Sequence, residues 1–129
     1  MRRFLAMLCA LAPGACEPAF AQSYIAPVTG SIASATNGAS FTPVAGRAFS
    51  ITISGTWSGS WQIERELGGV WYPLTVTVAG ATTQLEQGAA NASEIWLEAE
   101  PNVPYRINMS STVTGGGWSS GTLSYRFDQ

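Results

Sequence analysis

The fold is decided between residues 60 and 78, SWQIERELGGVWYPLTVTV. Trp61, Ile63, Arg65 and Leu67 alternate there with Ser60, Gln62, Glu64 and Glu66. A period of two marks a strand with one face turned to a core. Gly68-Gly69 follows, a two-residue hairpin signal. Val70, Tyr72, Leu74, Val76 and Val78 make the next apolar face, with Trp71, Thr75 and Thr77 opposite. Two alternating runs joined by a glycine pair predict an antiparallel hairpin.

The same period recurs outward. Phe49, Ile51 and Ile53 alternate with Ala48, Ser50, Thr52 and Ser54, and Gly55 to Gly59 reads as a turn. Gly80 turns again, and Ala81 to Gln87 reads as a weaker polar strand. Ile95, Leu97 and Ala99 share one face of the run that starts at Glu94. Val103, Tyr105, Ile107 and Met109 share another, with Arg106 and Asn108 opposite. Thr114-Gly115-Gly116-Gly117-Trp118 reads as a flexible loop, and Leu123, Tyr125 and Phe127 close the pattern. No window after residue 21 has helical period. The expectation is an all-β chain. It would form an antiparallel β-sandwich, jelly-roll or immunoglobulin-like, of seven to eight short strands.

The chain divides into three parts. Residues 1–21 have the anatomy of a secretory signal, or else form an apolar N-terminal extension. Arg2 and Arg3 precede the apolar run Phe4 to Ala12, and Pro13-Gly14 breaks it. Ala19 and Ala21 offer the small residues of a signal cleavage site. The run is too short to span a bilayer. Cys16 follows Pro13-Gly14-Ala15, which lacks the leading Leu of a lipobox. Residues 22–40 read as a flexible arm, or as an edge strand around Thr29 to Ala35. Residues 41–129 form the sandwich domain.

Composition removes several function classes. There is no His and no Lys, and both cysteines, Cys9 and Cys16, lie in the first segment. From Gln22 onward four arginines stand against seven acids, a net charge of −3. Such a domain has no electrostatic footprint for nucleic acid and no basic helix for a membrane surface. Its serines and threonines have no His or Lys to take a proton, so nucleophilic catalysis lacks its base. Metal sites of the His or Cys type are excluded as well. Glu94, Glu98 and Glu100 cluster in sequence, without the Asp-rich loop of a calcium site. The i, i+2 pairs Glu64/Glu66 and Glu98/Glu100 have a spacing that a glycosidase could use. Exposed Glu alternating with core residues is the plainer account. The expectation is a protein that is no enzyme and holds no cofactor and no metal.

Five tryptophans remain to be placed. Trp57 and Trp61 share parity with Ile63 and Leu67, which predicts burial or a sheet end. Trp71 and Trp96 have the opposite parity, which predicts the outer face. Trp118 falls in the glycine loop. Trp71, Trp96 and Trp118 are therefore the candidate interface. Exposed Trp suits a protein contact or a sugar-stacking platform, and an N-terminal arm could also cover it.

The run Phe41-Thr42-Pro43-Val44-Ala45-Gly46-Arg47-Ala48-Phe49 leads into Ile53-Ser54-Gly55-Thr56-Trp57. Ile63-Glu64-Arg65, a Gly-Gly turn and Trp71-Tyr72-Pro73-Leu74-Thr75 follow. Later come Glu98, Glu100-Pro101, Pro104-Tyr105-Arg106 and Gly121-Thr122-Leu123-Ser124-Tyr125-Arg126-Phe127-Asp128-Gln129. Over residues 41–129 this order resembles the small β-rich structural proteins of tailed bacteriophages and prophages. The resemblance implies a non-enzymatic virion component, capsid-decorating or tail-associated. Its partners would be other virion proteins or further copies of itself, as in a trimer. Two departures stand out. That family's hairpin carries Ser-Phe-Asp-Gly-Gly where this chain has Glu66-Leu67-Gly68-Gly69, and virion proteins rarely carry signal peptides. A genuine signal would make the chain a secreted or periplasmic module instead, carbohydrate-binding or adhesin-like, with a glycan as ligand.

Overall fold

The computed structural model describes residues 25–78, 81–84, 86–87, 90–113 and 115–129. These form ten strands and no helix. The strands are β1 (Val28–Ile32), β2 (Ala48–Gly59), β3 (Trp61–Leu67), β4 (Val70–Pro73), β5 (Thr75–Val78), β6 (Ala81–Gln84), β7 (Glu86–Gln87), β8 (Ala92–Leu97), β9 (Tyr105–Asn108) and β10 (Trp118–Asp128). The segment 1–21, with Ala19 and Ala21, lies outside the described residues.

The first sheet has the order β1-β10-β2-β8, and every neighbour pair is antiparallel. The second is built around β3. Gln62 pairs with Asn108 on one side and Glu86 on the other, while Glu64 pairs with Arg106 and Pro73. So β9 lies along one edge of β3, and β4 and β7 share the other. β5 and β6 form a separate hairpin. Residues 37–41 extend the second sheet beyond β9. Phe41 N–H donates to the Tyr105 carbonyl, and Tyr105 N–H to that of Phe41, each at 2.8 Å. The expected all-β antiparallel sandwich is what forms. It has more pieces than expected because Leu74 separates β4 from β5 and the stretch 81–87 divides into β6 and β7.

Both sheets send alternate residues into one core. Phe49, Ile51 and Ile53 of β2 and Leu123, Tyr125 and Phe127 of β10 meet Trp61 and Ile63 of β3 and Tyr105 and Ile107 of β9. Phe49 and Tyr105 join the layers, with ring centres 4.8 Å apart. Phe41 stacks on Phe127 at 5.5 Å. Each such buried side chain contributes about 1.5–3 kcal/mol relative to exposure. Trp57 and Trp61 are buried, as their parity predicts, yet neither indole N–H has an acceptor.

The expected turn at Gly55 to Gly59 does not form. β2 runs through it, with Gly55 opposite Leu123 and Trp57 opposite Gly121. Gly55 has φ 121° and Gly121 has φ 81°, and a Cβ on either would strike a carbonyl oxygen of the neighbouring strand. Glycine here serves close strand approach and not reversal. The chain instead changes sheets at Ser60, whose N–H donates to the Gly117 carbonyl at 2.8 Å. Within residues 25–40, β1 spans Val28–Ile32 and pairs along β10 at the end of the first sheet.

Candidate functional site

The register between β2 and β8 decides which surface is available. Phe49 lies opposite Trp96 and Ile51 opposite Glu94. Directly paired residues share a face, so Trp96 and Glu94 turn toward the core side. Ile95 and Leu97 turn out to solvent, 77% and 64% exposed. This inverts the expectation that Ile95 and Leu97 face inward and Trp96 outward. The physical reason lies at the strand edge. An indole reaching back over the core covers more apolar area there than an isoleucine could. Trp96 Nε1–H also donates to Glu94 Oε2 at 3.0 Å, which gives the inward acid a partner. Among the described residues β8 ends its sheet, so an apolar pair stands on a strand that has one described neighbour, β2.

The other two candidate tryptophans are largely occupied. Trp71 does lie on the outer face of the second sheet, half-buried, with the Arg106 guanidinium 4.0 Å from its ring centre. Arg106 Nε donates to Glu64 Oε2 at 2.7 Å, and Asn108 Nδ2 donates to Glu64 Oε1 at 2.7 Å. Trp118 is not a loop residue. It opens β10, packs partly against the core, and its Nε1–H donates to the Gly121 carbonyl at 3.1 Å. No ring contact joins any two of Trp71, Trp96 and Trp118 among the described residues.

A second feature lies where the β3–β4 hairpin meets the end of β8. Glu98 follows β8 and is 4% exposed. Its Oε2 accepts from the Tyr105 hydroxyl at 2.6 Å and its Oε1 from the Glu100 N–H at 2.9 Å. Arg65 Nη1 stands 3.8 Å from Oε2. Burial pushes the Glu98 carboxyl up. The Tyr105 and Glu100 donors and the Arg65 charge outweigh it and hold the group below its ordinary value. Burial, then the bond to Glu98, pushes the Tyr105 phenol well above the usual tyrosine value. At neutral pH the pair is therefore a carboxylate and a protonated phenol. Beside it opens a cleft of about 390 Å³ lined by Arg65, Leu67, Tyr72, Pro73, Leu74 and Thr75.

Among the described residues no group of three or more acids is placed to hold a metal ion, and no helix is long and apolar enough to cross a membrane. Compared with known proteins, the chain matches no family model and no curated protein. Sequence reasoning missed Ile95 and Leu97 as surface residues. No local signal could have found them: Glu94 shares the parity of Trp96, and an acid is ordinarily exposed, so it favoured the outward reading.

Proposed function

We propose that this chain is a non-enzymatic structural protein that works by binding protein subunits, as a capsid-decorating or tail-associated component of a phage-type virion. The observation that supports this best is β8, a sheet edge that carries Ile95 and Leu97 on its solvent side. An exposed apolar edge strand is a template for pairing with another chain. The virion setting is supported by the resemblance across residues 41–129.

The first partner in this reading is a second copy. When the same edge meets itself the contact is isologous, and a two-fold axis relates the copies. Only registers that pair residues of equal parity keep the aliphatic side chains on one face. Ile95 and Leu97 then meet their own counterparts above the joined sheets. Light scattering on the purified chain tests this. The wild type is expected at twice the 13.6 kDa chain mass, and Ile95→Ser/Leu97→Ser at one mass with an unchanged circular dichroism spectrum. A wild type that stays monomeric up to about 1 mM, where no useful affinity remains, ends the self-pairing reading.

A further inference from the structure

We propose that the cleft beneath Tyr72 binds a carboxylate-bearing sugar, a hexuronate unit of an acidic glycan, with Arg65 as the carboxylate anchor. The cleft is separate from the outward face of β8, and the proposal does not depend on the self-pairing reading.

Arg65 occupies an unusual position. It shares parity on β3 with Trp61 and Ile63, both buried in the sandwich core. Its cross-strand partner on β4 is Tyr72, and the pair beyond is Leu67 with Val70. All four stand on the inward face of the hairpin, yet Tyr72 is 47% and Val70 51% exposed. The hairpin therefore carries core-facing parity past the point where the first sheet covers it. Leu74, whose N–H donates to the Ile63 carbonyl at 2.8 Å, closes the inner end.

The guanidinium is held in place without being used up. Glu98 already accepts from Tyr105 and from the Glu100 N–H, and Arg65 stands 3.8 Å off, beyond hydrogen-bond distance. The carboxylate orients the arginine by charge and the Tyr105 hydroxyl also engages it, and a guanidinium has five N–H donors, more than these two partners take up. Glu98 thus does two things at once: it takes the Tyr105 and Glu100 hydrogen bonds, and it places a charge that holds the half-exposed arginine at the cleft. A guanidinium presents a planar donor fork that matches a carboxylate.

The rest of the lining narrows the ligand. Tyr72 offers a half-exposed ring, suited to the C–H face of a sugar. Its hydroxyl and that of Thr75 offer hydrogen bonds to ring hydroxyls. The volume falls in the range of small-ligand sites. One cation, one ring and two hydroxyls above a leucine floor fit a uronate better than a phosphate, which would leave the aromatic wall without a partner.

The test is calorimetric titration of the full chain with trigalacturonate and with methyl β-glucuronide. Neutral trigalactose and a pentapeptide ending in a leucine carboxylate serve as comparisons. At least one uronate is expected to bind with Kd of about 1 mM or tighter. Arg65→Gln should weaken that binding tenfold or more, and Tyr72→Ala several-fold. Circular dichroism monitors folding, and Thr75→Val supplies a second variant that touches neither Glu98 nor the core. Failure of both uronates overturns the proposal, as does uronate binding that neither Arg65→Gln nor Tyr72→Ala changes in folded protein. Binding of the peptide alone, lost in Arg65→Gln, overturns the sugar assignment and makes the cleft a chain-terminus site.

Discussion

Two arginine–carboxylate pairs, one on each outer face of the sandwich, have the same closest distance and different meanings. Arg106 Nε lies 2.7 Å from Glu64 Oε2 on the second sheet, and Arg126 Nη2 lies 2.7 Å from Asp128 Oδ2 on the first. The Arg106 and Glu64 side chains are 20% and 9% exposed, those of Arg126 and Asp128 50% and 37%. Glu64 also accepts from Asn108, and Arg106 lies over Trp71. Arg126 has Thr29 and Thr52 as cross-strand neighbours, on a face of short hydroxyl side chains. Distance does not rank ion pairs; the dielectric around them and the other bonds they make do. The second sheet has turned its outer face into a closed polar network that occupies its tryptophan. The first sheet leaves its outer face plain until β8.

The largest expected effect breaks the network. Glu64→Ala strands a half-buried guanidinium and leaves the buried Asn108 amide with its long 3.5 Å bond to Thr112 Oγ1. It is expected to cost about 3–5 kcal/mol in urea unfolding, the range for removing one partner of a buried pair. Ser54→Ala on the first sheet should change stability by less than about 0.5 kcal/mol, as an exposed site does. A Glu64→Ala cost under about 1 kcal/mol would put both outer faces in one class.

Next in size is Tyr105→Phe, which sharpens the same contrast at the end of the sandwich. A bond from a phenol to a buried carboxylate is worth about 1.5–3 kcal/mol. Its pH dependence has two limbs. Glu98 has a folded value below its ordinary 4.5, so its share of stability is complete above 4.5 and is lost as pH falls through the lower folded value. Tyr105 has a folded value above its ordinary 10.0, so its share is complete below 10.0 and is lost as pH rises beyond it. Tyr105→Phe should flatten the alkaline limb fully. The acid limb should shrink without vanishing, because the Glu100 N–H and Arg65 still act on Glu98. Wild-type and variant unfolding measured from pH 3 to 11 would show it, and unchanged limbs in the variant would refute the assignment.

The core of both sheets was legible in the sequence. Phe49 to Ile53, Trp61 to Ile63, Tyr105 to Ile107 and Leu123 to Phe127 obey period two because both neighbours of each strand demand the same inward face. β8 was misread for the converse reason. An edge strand has one neighbour, so its own pattern is weakly constrained and its face is set by the register with β2, which no local window contains. Gly55 misled in a related way. Glycine signals reversal and close strand approach alike, and only the position of Thr122 across the ladder tells them apart. Arg65 was placed on the apolar face, yet its meaning needed Glu98, 33 positions away in sequence and 3.8 Å away in space.

The smallest expected effect is the most useful for the opening comparison. Arg126→Gln removes the exposed pair and should change the free energy of urea unfolding by no more than about 0.5 kcal/mol. Both side chains project from one strand, two residues apart, so the pair closes no long loop and ties no two elements together. Salt should screen what remains, since water surrounds both groups. Arg106→Gln, at the same starting distance, should cost several times more at low and at high salt alike. If Arg126→Gln proved as costly as Arg106→Gln, the hydroxyl face of the first sheet would have to be dry in solution. Among the described residues nothing covers it, so the cover would have to come from outside them, and a partner lying across β10 and β2 would supply it. That outcome would move the interface from the edge at Ile95 and Leu97 to the broad face beside it, and the light-scattering variant would then leave the oligomer intact.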